Sequence, residues 1–127
     1  MDRTAELIEW VVAEGLQVTP RHYPHADQKM QRDGAVDGFA ACEGLDTDGL
    51  AELLTEAERV RDEKSAKRTR DAAYWKSRAS EIRWVTNVVS ADMELDGLTP
   101  IIPTSAMGNI KAWEFRDKFR VVAPKFR

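Results

Sequence analysis

The chain predicts an all-α fold, and three observations carry that expectation. In residues 73–95, Trp75, Ala79, Ile82, Val85, Val89 and Met93 step by threes and fours, and Trp84, Val88, Ala91 and Leu95 repeat the stepping one row over. Flanking segments carry single apolar faces at the same period. The charged stretch "RVRDEKSAKRTRDAA" (residues 59–73) has good helix propensity and contains neither Gly nor Pro. A helix apolar over most of its circumference must be covered on several sides, so residues 73–95 form the centre of a helical assembly. Only Arg83, Asn87, Ser90 and Glu94 remain as a narrow polar seam.

Taken in order, a first short helix starts at Asp2 or Thr4 as N-cap, buries Leu7, Ile8, Val11 and Val12, and closes at Gly15. An irregular connector follows at about residues 19–46, because Pro20, Pro24, Gly34, Gly38, Gly44 and Gly49 punctuate this region. It has room for single helical turns around residues 27–32 and 36–42. Thr47 then caps a helix whose apolar face is Leu50, Leu53, Leu54, Ala57 and Val60. The charged stretch after it is either the solvated middle of one long helix or the exposed tip of a helical hairpin. The continuous helix is favoured, with Glu63 and Lys67 as a supporting i,i+4 pair.

The central helix ends near Asp96 and Gly97, and Pro100 and Pro103 hold the next connector extended. Thr104 or Ser105 caps a last helix that runs to about residue 118. It carries Met107, Ile110 and Trp113 on one side and Phe115 and Phe119 on another. In the tail, Val121 and Val122 form a short strand or simply pack. The predicted core centres on Trp75, Ile82, Trp84, Val85, Val88 and Val89, with Leu7, Val11, Trp113 and Phe119 as neighbours. The whole is one helical domain, residues 1–127, with short N- and C-terminal helices packed back on the long central element. One chain offers few helices to cover two apolar stripes, so a homodimer is expected to supply the rest.

Composition restricts the function. Apolar residues make up 43% and charged residues 32% of the 127, too apolar for a disordered chain. No basic leader precedes an apolar run and no stretch approaches a membrane span, so a cytoplasmic protein without a membrane role is expected. Cys42 is the single cysteine, which excludes an intramolecular disulfide. The net charge of −3 conceals a gradient: residues 1–63 hold fifteen acidic and six basic side chains, residues 97–127 two and six. Either the acidic front pairs with the basic back, or an anionic partner docks at the C-terminal end.

No catalytic, cofactor or metal residue is nominated. His22, His25, Asp27 and Cys42 are the nearest approach to a metal set, but Pro24 interrupts the histidine spacing and no second cysteine completes it. Cys42 lies beside Glu43, which disfavours a reactive thiolate. Carboxylate pairs such as Asp46 with Asp48 suit a solvated helix start. The C-terminal stretch is more distinctive, because Lys111, Arg116, Lys118, Arg120, Lys125 and Arg127 are interleaved with Trp113, Phe115, Phe119 and Phe126. Such a mixture serves a phosphate backbone, stacked bases or a protein interface. A helix-turn-helix is a poor match, since about eight residues with two prolines separate the last helices where that motif uses about 3 to 4.

Three segments, "DGFAACEGL" (residues 37–45), "AYWKSRASEIRWVTNVVSA" (73–91) and "LTPIIPTSAMGNIKAW" (98–113), resemble small helical proteins of actinobacteriophages and their prophages. The resemblance implies a phage or prophage setting, hence the host cytoplasm, and brings no activity with it. The sequence therefore leads to a small non-enzymatic binding protein that occupies a surface on a host or phage protein. Its expected partner-facing residues are Trp113, Phe115, Arg116, Phe119 and Arg120. A DNA-binding transcriptional regulator using the basic C-terminal helix and tail is the alternative.

Overall fold

The computed structural model describes residues 2–118. They form five helices, α1 (Arg3–His22), α2 (Lys29–Ala41), α3 (Thr47–Ala66), α4 (Ala72–Leu95) and α5 (Ala106–Lys118), with a 3-10 turn at Ala26–Gln28 leading into α2. No strand occurs among the described residues, and the fold is all-α as the sequence predicts. Phe119, Arg120, Val121 and Val122 lie outside the described residues.

Helix α4 is the hub. It packs against α1, α2, α3 and α5, and Ile82, Val85, Val88 and Val89 are fully buried at its centre together with Leu7, Val12 and Phe115. The centres of both apolar stripes are thus covered by helices of the same chain. The aromatic part of the predicted core is corrected: Trp75 and Trp84 are only partly buried, and Trp113 is exposed. Phe115 takes the central place, with its ring 5.7 Å from that of Trp10.

The favoured continuous helix over residues 47–95 is also corrected. α3 stops at Ala66 and α4 begins at Ala72, so the charged stretch is the tip of a hairpin. The turn is a Schellman closure, in which Thr69 N–H donates to the Lys64 carbonyl and Arg68 N–H to that of Ser65. Arg68 occupies the left-handed position, at φ 51°. Across the hairpin Glu58 accepts from Arg83 Nε at 2.9 Å and Nη2 at 3.1 Å. These hydrogen bonds, followed by the positive charges of Arg83 and Arg61, hold the Glu58 carboxyl below its ordinary range despite partial burial.

The largest departure is the expected irregular connector. α1 continues through Pro20 to His22, and α2 occupies most of the remainder. Gly15 does not close α1, because its missing side chain makes room for the Phe39 ring. A Cβ there would lie 2.2 Å from Phe39 Cζ. On α2, Gly34 and Gly38 lie four apart on one face and let α4 approach. Cβ atoms at these two positions would fall 2.3 Å from the Tyr74 carbonyl oxygen and 2.6 Å from that of Arg78. Gly97 does behave as a terminator: at φ 76° it follows the α4 C-cap, and Leu98 N–H closes on the Met93 carbonyl.

The polar seam of α4 turns out to be the seat of the proline connector. Ser90 Oγ accepts from the backbone N–H groups of Ile101 and Ile102 at 3.1 and 3.2 Å, and Glu94 accepts from Thr104 Oγ1 at 3.1 Å. Asn87 donates to Ser105 Oγ at 2.8 Å and accepts from Ser105 N–H at 3.1 Å. Ser105 Oγ also accepts from Gly108 N–H at 3.2 Å, which caps α5. The seam thereby fixes where α5 begins.

Candidate functional site

The expected partner-facing set is divided by the structure. Phe115 is fully buried and Arg116 is 2% exposed, so neither can meet a partner. Arg116 Nε donates to Asp92 Oδ1 at 2.7 Å and Nη2 to the Asp92 carbonyl at 2.7 Å, and Asp96 Oδ1 lies 3.2 Å away. Arg3 reaches the same two carboxylates, which ties the start of α1 and the end of α5 to the end of α4. Burial works to raise the Asp96 carboxyl, but the hydrogen bond from Arg3 and the charges of Arg116 and Arg3 keep it below its ordinary value. Phe119 and Arg120 lie outside the described residues. Of the five, Trp113 is the one shown at the surface.

Trp113 belongs to a stripe on the outer face of α5. Met107, Ile110 and Trp113 repeat every third residue and are 55%, 49% and 45% exposed. Their mean position is opposite Phe115 and Ala112, which face the core. Lys111 donates to Glu14 of α1 at 3.3 Å and to Glu114 at 3.1 Å.

Beside this stripe, and sharing Met107 with it, opens a cleft of about 510 Å³ between α1, α2, α4 and α5. Trp10, Trp84 and Phe39 supply its aromatic lining, with Val11 and Val18 between them. Glu14, His22, Ser80, Glu81 and Lys111 are its polar groups. The two close-packed glycines shape it: Gly15 admits the Phe39 ring, and Gly38 admits the base of Glu81, whose Cβ would lie 3.2 Å from a Cβ at that position.

Glu81 is the singular group here. Among the described residues no hydrogen-bond donor or cation partners its carboxyl, and burial alone pushes its pKa up to about 7. Sequence reasoning missed Glu81, Trp10 and Glu14. The signal available was an acidic residue placed between the two apolar stripes of the central helix, flanked by Ser80 and Trp84.

A second groove of about 670 Å³, between α2 and the start of α4, is lined by Lys29, Met30, Asp33, Asp37, Tyr74 and Trp75 among others. Its polar groups satisfy one another: Tyr74 donates to Asp37, Trp75 Nε1 donates to Asp71 at 2.9 Å, and Lys29 pairs with Asp33 at 2.6 Å. Burial, then the hydrogen bond and charge of Asp37, push the Tyr74 hydroxyl up to about 12. This groove leaves no group waiting for a ligand.

The remaining sequence candidates are dispersed. Cys42 is buried, its Sγ 3.4 Å from the Gly38 carbonyl, and burial pushes its thiol up to about 12 against the lowering charge of Arg78. His25 begins the 3-10 turn, while His22 faces the aromatic cleft. Among the described residues no three His, Cys, Asp or Glu side chains converge as metal ligands, and no helix is long and apolar enough to cross a membrane. Neither a protein-family model, a curated protein nor a solved structure matches the chain, so its chemistry is read from its own residues.

Proposed function

We propose that this is a non-enzymatic binding protein that works by occupying a surface on another protein, in the phage or host setting that the resemblance implies. The exposed stripe Met107, Ile110 and Trp113 carries this proposal. Three large apolar side chains in register on one helix face, continuous with an aromatic cleft, form the kind of patch that protein interfaces use. DNA binding through α5 has weaker support. Lys111 already has two carboxylate partners, and Arg116 is buried on Asp92 out of reach of a phosphate.

Capture from host lysate by the wild type and by Ile110→Asp tests the proposal. A defined polypeptide retained by the wild type and lost by a variant of unchanged melting temperature supports it. Retention of nucleic acid in place of a polypeptide overturns it in favour of the regulator. The homodimer expected from the sequence no longer has the centre of α4 to cover and rests on this stripe instead. Sedimentation equilibrium reads that directly: twice 14.4 kDa in the wild type and 14.4 kDa in Ile110→Asp assigns the stripe to a second copy.

A further inference from the structure

We propose that the aromatic cleft is a receptor for one cationic side chain, the guanidinium of an arginine or the ammonium of a lysine presented by the partner polypeptide, held between the indole walls and the Glu81 carboxylate. This rests on the protein-binding function above and names what the partner inserts beside the α5 stripe.

Three features of the cleft converge on a cation. Its aromatic walls come from different helices, Trp10 from α1, Phe39 from α2 and Trp84 from α4, and aromatic faces attract cations most strongly where water is excluded. Its carboxyl, on the partly buried Glu81, has no partner among the described residues. Its charge balance is negative: Lys111, the lysine of the lining, is drawn toward Glu14 and Glu114 and does not neutralise Glu81. An anionic ligand would meet both Glu81 and Glu14. A purely apolar one would bury the Glu81 carboxyl further without compensating it, at a cost that a charge-assisted hydrogen bond removes. The cavity of about 510 Å³ admits a long side chain with its stem.

The site is also built in. Gly38 allows α2 close enough to pin the base of Glu81, and Gly15 allows the tip of the Phe39 ring against α1. A cation favours the ionised carboxyl, so binding competes with a proton and strengthens as pH rises from about 6 to 8, through the range to which burial has moved Glu81. The other charged or titratable groups lining the cleft are Glu14 and His22 from α1 and Lys111 from α5, while α2 contributes the uncharged Phe39.

N-acetyl-arginine amide is the probe, titrated into the full chain and followed by the four indole N–H resonances in 1H–15N spectra. Saturable shifts confined to Trp10 and Trp84, absent with the neutral isostere N-acetyl-citrulline amide, are expected. Glu81→Gln should weaken binding about tenfold or more, and the affinity of the wild type should rise between pH 6 and pH 8. No saturable shift, equal binding of the citrulline compound, or an unaltered affinity in a folded Glu81→Gln variant overturns the inference. Its failure is distinguishable from failure of the docking surface. Ile110→Asp should leave probe binding unchanged while abolishing capture of the polypeptide, and capture that survives Ile110→Asp refutes the stripe while leaving the cleft intact.

Discussion

Asp92 and Arg116 form an ion pair in the interior, 24 residues apart in sequence and 2.7 Å apart in space, each with a side chain at most 3% exposed. The pair joins α4 to α5, and Arg3 extends it to α1. A charge that the sequence assigns to the surface is therefore an internal fastener. Removing the Asp92 carboxylate leaves Arg116 buried with Asp96, 3.2 Å away, and the residue 92 carbonyl as its remaining partners.

Asp92→Ala should accordingly lower the unfolding free energy by about 2 to 4 kcal/mol, measured by urea denaturation, less than for a wholly unpaired buried charge because Asp96 stays within reach of Arg116. Arg116→Met together with Asp92→Leu should recover a large part of that loss, because neither member of the innermost pair then remains charged while Arg3 and Asp96 still pair with each other. A single Asp92 variant as stable as the wild type would place the pair in solvent.

Glu81→Gln should stabilise the protein, and only above acidic pH. The folded-state pKa of Glu81 is raised to about 7 from an ordinary 4.5, so the folded chain holds this proton more tightly than the unfolded chain. Stability from that proton is complete below pH 4.5 and is lost as the pH rises through 7. At pH 8 the variant should gain about 1 to 2 kcal/mol, a figure reduced for the partial exposure of the carboxyl. Melting curves at pH 4 should coincide, and a gain independent of pH would refute the cause.

Arg68→Gly should add about 0.5 to 1 kcal/mol, since the left-handed closure of the α3–α4 hairpin costs an L-residue what glycine avoids. The increase in urea midpoint should come without a change in slope. A loss of stability would mean that contacts of the Arg68 side chain outweigh its backbone strain.

Gly34→Ala should cost about 1 to 3 kcal/mol, even though alanine is the better helix former. The added Cβ would lie 2.3 Å from the Tyr74 carbonyl oxygen, backbone that cannot move aside without parting α2 from α4. Stabilisation on this substitution would show that the two helices do not touch there.

Phe115→Ala should be the severe aromatic truncation, at about 3 to 5 kcal/mol, with Trp84→Ala costing less. Phe115 is fully buried, whereas Trp84 lines the cleft and keeps one side open. Thermal melts of the two variants rank them, and the reverse order would restore Trp84 to the centre of the core.

Helical period and some of the helix ends are local properties, and these the sequence determined. The stripes of α4 place Ile82, Val85, Val88 and Val89 in the interior, Asp2 and Ser105 cap their helices, and Gly97 ends α4 where side-chain spacing says it should. What a glycine or a charge does depends on what lies across from it, and only the tertiary structure decided that. Gly15, Gly34 and Gly38 read locally as breaks, yet opposite Phe39, Tyr74 and Arg78 they are the gaps through which helices meet. The loss of helix propensity they impose, about 1 kcal/mol each, is offset by packing that no local window contains. The polar seam of Asn87, Ser90 and Glu94 is legible as a seam, but that the proline connector lies on it is not. Lys111 and Arg116 look alike on a helix of alternating charge, but one bridges to Glu14 at the rim of the cleft and the other sinks onto Asp92. The cleft itself draws on residues from 10 to 111 in the chain, brought together only when four helices close around Glu81.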